Sequence, residues 1–175
     1  MPHVFEPAAT GRSKCRGCGR ALQRGELRFG ERISNPFAGG DTTLWFHPLC
    51  AAYKHPESLL EALAASPGAV PNRETLERVA RSTLAQPRLP RIDGAERAKG
   101  QASCRHCREP VRRGAWRIRL VFYEEGQFNP SGFIHAACAR EYFGTGDIVE
   151  HVFHFSPALA DTEREEVRNA IMTGR

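Results

Sequence analysis

The chain has 175 residues, with 25 lysines and arginines against 20 aspartates and glutamates, a formal charge of +5. That length allows one domain or two small ones, and the charge favours an anionic partner. No stretch approaches membrane-spanning length, and the N-terminal MPHVFEPAATGRSKC has no apolar run of the secretory kind, so membrane and secreted disulfide classes are set aside and the six cysteines point to metal or catalysis in a reducing compartment.

In chain order, the first feature is a basic run around Cys15 and Cys18, holding Arg12, Lys14, Arg16, Arg20, Arg24 and Arg28. Gly25 marks a turn into the β-prone GELRFGERI. Next come the loop NPFAGGDTT (residues 35–43) and WFHPLC, with His47 and Cys50 opening a helix. ESLLEALAASPGAVPNRETLERVARSTL predicts a further helix capped by Asn72. The polar, proline- and glycine-bearing stretch at 86–100 reads as a linker. After it the order repeats. Cys104 and Cys107 sit among Arg105, Arg108, Arg112, Arg113, Arg117 and Arg119, and Gly114 precedes GAWRIRLVF. His135 and Cys138 follow in FIHAAC, and DIVEHVFHFSPALADTEREEVRNAIMTG ends in a helix capped by Asp161 or Thr162.

All six cysteines fall into two matching sets, C-x2-C-x28-H-x2-C and C-x2-C-x27-H-x2-C. Three thiolates and one imidazole complete a tetrahedral Zn²⁺ site and leave no open position, as a structural zinc requires. A redox CxxC has no reason to recur with HxxC at the same distance. LIM and RING modules need eight ligands per pair of zincs, and a catalytic zinc keeps only three protein ligands. The expectation is two structural Zn²⁺ ions, held by Cys15, Cys18, His47 and Cys50 and by Cys104, Cys107, His135 and Cys138. His3, His55, His106, His151 and His154 are assigned to surface or packing.

The charge is uneven: eight basic residues against three acidic in 11–56, seven against four in 104–145, and three against six in 146–175. A GC-rich genome accounts for arginine over lysine, though not for clustering at the cysteines. Arginine forks match phosphate oxygens, and each contact releases counterions. Part of each cluster can equally be a solvated face.

FEPAATGRSKCRGCG, followed by ELR and WFHPLC, resembles the PARP-type zinc finger, found in tandem in poly(ADP-ribose) polymerase and singly in a eukaryotic DNA ligase. The likeness covers residues 3–56 well and 99–143 less fully. It implies a small α+β fold in two tandem fingers, each a short antiparallel sheet plus helices around one zinc, with the first finger at 1–85, the linker at 86–100 and the second finger at 101–175. It also implies DNA strand-break recognition without catalysis, in DNA damage and repair. By this resemblance Arg12 and Arg28 contact DNA, Phe37 caps an exposed base one position away from the family phenylalanine, and Trp45 packs in the finger core. In the second finger Gln101 replaces Arg12 and Phe133-Ile134 replaces the Trp-aromatic pair, while Arg117 matches Arg28 and Phe128 is a candidate stacker.

The DNA-contact set is thus Arg12, Lys14, Arg16, Arg28 and Phe37, with Arg105, Arg117, Arg119 and Phe128 from the second half. The expected partner is DNA that is nicked or has ends, with a repair enzyme as a further partner and no membrane. The expected location is intracellular and DNA-associated, in the nucleoid of a bacterium or the nucleus of a eukaryote. Protein interaction through the basic face and RNA binding are the alternatives.

Overall fold

The computed structural model describes residues 2–35 and 39–174. The chain divides into two compact units, one of residues 1–90 with Glu124–Phe128 and one of Arg91–Tyr123 with Asn129–Arg175.

The first unit opens with a three-stranded antiparallel sheet of β1 (Val4–Pro7), β2 (Leu27–Ser34) and β3 (Asp41–Phe46), in the order β1-β2-β3. Gly25, at φ +84°, supplies the left-handed turn into β2 that a Cβ would disfavour. Alternation along β2 sends Phe29 to one face, where it is fully buried with Phe46 and the ring of Phe5 lies 5.4 Å away. Arg28 and Gly30 lie on the other face. Helices α1 (Pro48–Lys54), α2 (Pro56–Ala65) and α3 (Arg73–Leu84) complete the unit. Leu59, Leu63, Leu76, Val79 and Ala80 are buried. Proline opens both α1 and α2, where a missing N–H costs nothing. Asn72 takes the N-cap position of α3 in a left-handed conformation (φ 57°), but its side chain makes no capping bond.

In the second unit β4 (Ile92–Arg97), β7 (Trp116–Glu124) and β8 (Gln127–His135) form a sheet in the order β4-β7-β8, and β5 (Ala102–Ser103) pairs with β6 (Pro110–Val111). Helices α4 (Ala139–Phe143), α5 (Val149–His154) and α6 (Asp161–Thr173) follow. Their core includes Ile118, Leu120, Ile134, Phe143, Ile148, Val152, Val167 and Ile171.

Two expectations are corrected here. Residues 86–100 are not a free linker, because Ile92–Arg97 is a strand registered against β7 with Ile92 and Ala95 buried. Asp161 and Thr162 stand inside α6, whose N-cap is Ala160. The Ala160 N–H donates to the Glu163 carboxylate at 3.0 Å, one half of a capping box. Among the described residues, no helix is long and apolar enough to cross a membrane.

Candidate metal centres and basic face

Each CxxC sits in a tight turn held by its own backbone. Cys15 N–H donates to Arg20 O and Gly19 N–H to Cys15 O, both at 2.8 Å; Cys104 N–H donates to Glu109 O at 2.8 Å and Arg108 N–H to Cys104 O at 3.0 Å. One further bond ties each turn to the strand that leads to the histidine. Arg16 N–H donates to Trp45 O at 2.9 Å, and Arg105 N–H to Phe133 O at 2.8 Å. The short helical turn after that strand then delivers the last cysteine.

The result is two clusters, Cys15–Cys18–His47–Cys50 and Cys104–Cys107–His135–Cys138, each with its four donor atoms within 4.8 Å of one another. His47 Nδ1 is 3.4 Å from Cys18 Sγ and 3.8 Å from Cys50 Sγ; His135 Nδ1 is 3.5 Å from Cys107 Sγ and 3.9 Å from Cys138 Sγ. A tetrahedral ion with metal–sulfur bonds of about 2.3 Å and metal–nitrogen bonds of about 2.0 Å sets donors roughly 3.5–3.8 Å apart. The outer ring nitrogens are used elsewhere. His135 Nε2–H donates to Pro110 O at 3.2 Å, and His47 Nε2 lies 3.6 Å from Glu26 Oε1. In His135 that bond places the proton on Nε2 and leaves the Nδ1 lone pair to the sulfurs, and in His47 the Glu26 carboxylate lies on the same outer side of the ring. Backbone N–H groups of His47 and His135 donate to Cys15 Sγ and Cys104 Sγ, and Arg20 Nε donates to Cys18 Sγ.

Proton affinities show the same demand for a cation. Hydrogen bonds from Cys15 and Cys50 hold the Cys18 thiol far below the ordinary range, while bonds from Cys15 and Cys18 push Cys50 far above it. Bonds with Cys15 and Cys18 raise His47 to about 10. In the second cluster, burial of Cys104 is outweighed by the N–H groups of Cys107, His135 and His106, which hold it down to about 6; burial and the charge of Cys104 push Cys138 up to about 12. A bound dication lets all three thiols ionise together. The eight predicted ligands are thus brought together, and the donor set fits Zn²⁺.

His106 belongs to neither cluster and meets Glu141 at 2.9 Å.

The predicted DNA contacts separate into two groups. Arg12, Lys14, Arg16 and Arg105 are exposed, and none of them pairs with a carboxylate among the described residues. Arg28 and Arg117 are internal, at 8% and 7% exposure. Arg28 bonds Glu6 at 2.6 Å and Ser13 Oγ at 3.3 Å, with its guanidinium 3.5 Å from the Trp45 ring centroid. Arg117 repeats this with Glu96 at 2.6 Å and Phe133 at 3.5 Å. Arg28 and Arg117, which the sequence placed among the DNA contacts, thus each carry a carboxylate and a ring against the guanidinium. Arg119 is half-buried and bonded to Glu96 and to Asp93 O. Phe128 is half-buried, edge-on to His55 at 5.4 Å and with Lys54 Nζ 5.1 Å from its centroid. Phe37 lies outside the described residues. Trp45 is half-exposed rather than a core residue.

Some site residues escaped the sequence. Glu6 and Glu96 pin the two internal arginines, and the register pairs Glu6 with Arg28 and Glu96 with Arg117. A strand glutamate preceding each CxxC was the available signal. Glu31 is 5% exposed and meets His55 at 2.9 Å and Ser58 Oγ at 2.5 Å.

No protein-family model matches the chain. Among curated proteins it is similar to a poly [ADP-ribose] polymerase of Drosophila melanogaster, at 24% identity over 196 residues and 98% of this chain. The chain spans 19% of that relative's length.

Proposed function

We propose that the chain is a DNA-binding protein with two structural zinc ions, one in each Cys₃His cluster, recognising strand breaks or ends without catalysis. The observation that carries this is the set of exposed, unneutralised cations, Arg12, Lys14 and Arg16, around the first metal cluster. Each zinc fixes the turn from which they project, and the internal Arg28 supports that turn through Ser13. Cations without carboxylate partners are free to replace the counterions of a phosphate backbone. Such contacts position a protein without reading sequence, so preference for broken DNA comes from base faces exposed at an end or nick. The distant similarity to a poly [ADP-ribose] polymerase supports the same reading. In it, the chain acts on DNA inside the cell, in DNA repair, and an enzyme elsewhere supplies the chemistry.

Competition binding of nicked and covalently closed circles tests this. The nicked circle should win at equal length and salt, and log K should fall with log salt by about 0.9 per phosphate contacted. Arg12→Ala, Lys14→Ala and Arg16→Ala should each flatten that slope, whereas Arg28→Ala should lower stability instead. Equal binding of both circles removes break recognition. Stronger binding to RNA, or a slope of zero, removes DNA as the partner.

A further inference from the structure

Trp45 is placed unlike a packing residue. The register sets it opposite Gly30, and a Cβ on Gly30 would stand 2.6 Å from the indole Cζ3. Glycine therefore lets the ring lie down across β2, where it covers the guanidinium of Arg28. One face of the indole is taken by that cation at 3.5 Å. The surface it keeps lines an open concavity of about 450 Å³, shared with Ser13, Lys14, Arg16 and Thr43. That volume falls within the range of small-ligand clefts, about 300–1,000 Å³. Ser13 accepts a bond from Arg28, so its own hydroxyl proton remains to be donated.

The second unit does not repeat this arrangement. Phe133 stands in place of Trp45, and Arg119 in place of Gly30. The Arg119 guanidinium is bonded to Glu96 and to Asp93 O.

We propose that this concavity receives a single unpaired nucleotide, with the base on the open side of Trp45 and the phosphate between Lys14 and Arg16. The proposal rests on the DNA-binding reading and adds to it a site for an extrahelical or single-stranded nucleotide. A flat ring stiffened from beneath by a cation, with two free cations at the rim, matches a base joined to a phosphate. An acidic peptide would use the cations and gain little from the ring. Stacking on an aromatic platform tolerates any base, so the site selects an unpaired nucleotide rather than a sequence.

The experiment is a titration of the zinc-loaded protein with hexathymidylate, read by tryptophan fluorescence. The chain has two tryptophans, and Trp116 lies in the second unit with its Nε1–H bonded to Glu166 at 2.7 Å. Saturable quenching is expected in the wild type and absent in Trp45→Phe. Phe133 over Arg117 shows that phenylalanine covers an arginine in this setting, so that variant keeps its fold. The exposed double variant Lys14→Ala, Arg16→Ala should keep its fold and bind hexathymidylate roughly tenfold or more weakly. Equal quenching by hexaglutamate would reduce the site to a polyanion patch and overturn the proposal. Preference for nicked circles without quenching by hexathymidylate also overturns it, and leaves break recognition standing. Quenching with equal affinity for nicked and closed circles does the opposite.

Discussion

Glu31 places a carboxylate where the second unit has Leu120. It is 5% exposed, and burial alone would raise its pKa, yet the bonds from His55 and Ser58 prevail and hold it below the usual carboxylate value. A carboxyl whose folded pKa lies below its unfolded value of about 4.3 adds stability above that pH and loses it as pH falls through the folded value. Glu31→Gln should therefore cost about 1–3 kcal/mol near neutrality, since a buried acceptor is weakened and its partners are left short. The gap between wild type and variant should close below about pH 4, measured as a difference so that metal loss common to both cancels. A gap that stays constant with pH would remove the charge from the account. Each of the two internal arginines is likewise paired in a buried place with a glutamate from the neighbouring strand.

At the scale of the element, the metal-binding turn passes through the left-handed region on a different residue in each unit. The position after the second cysteine is Gly19 in one, with φ +73°, and Arg108 in the other, with φ +67°. A left-handed conformation costs a residue with a Cβ roughly 1–2 kcal/mol, and glycine takes back part of that in unfolded-state entropy. Arg108→Gly should stabilise the second unit by about 0.5–1 kcal/mol, raising the midpoint of its thermal transition by a few degrees. Gly19→Ala should lower the first by a similar amount. Arg108 is exposed, so removal of its side chain confounds the measurement little. No change in either variant would mean that the turn relaxes out of the left-handed region.

For the whole molecule, each unit carries its own core and its own cluster. Purified protein should hold two metal ions, and a chelator should abolish cooperative melting, given that structural zinc supplies about 10–16 kcal/mol in small zinc-finger peptides. Cys50→Ser should leave one metal per chain and slow amide exchange confined to the second unit. An unchanged melt after full metal removal would contradict both. The ligands, the repeat and the helices after each HxxC were legible because residue types at fixed spacing declare them. What the sequence concealed depends on partners far along the chain. Arg28 is a surface cation by composition and is buried because Glu6, 22 positions earlier, lies opposite it. Ile92–Arg97 looks like a linker because Asp93, Gly94, Glu96 and Arg97 are polar or flexible, and only β7, some 20 residues further on, makes it a strand. Trp45 carries a core residue's chemistry, and Gly30 decides where its ring goes.

Each cluster draws its donors from two short segments at the base of a long loop, and in the first unit β2 and β3 lead from that base to the residues between Ser34 and Asp41. A bound ion and strand pairing would hold the ends, so the length between them should change with little consequence for folding. Doubling it adds only about 0.6 kcal/mol of closure entropy, against the ten or more that the metal contributes. Insertions and wholesale replacement there should be inherited almost freely. The architecture separates the clasp that folds the unit from the sequence strung between its strands, and such a protein can change what it touches without renegotiating how it folds.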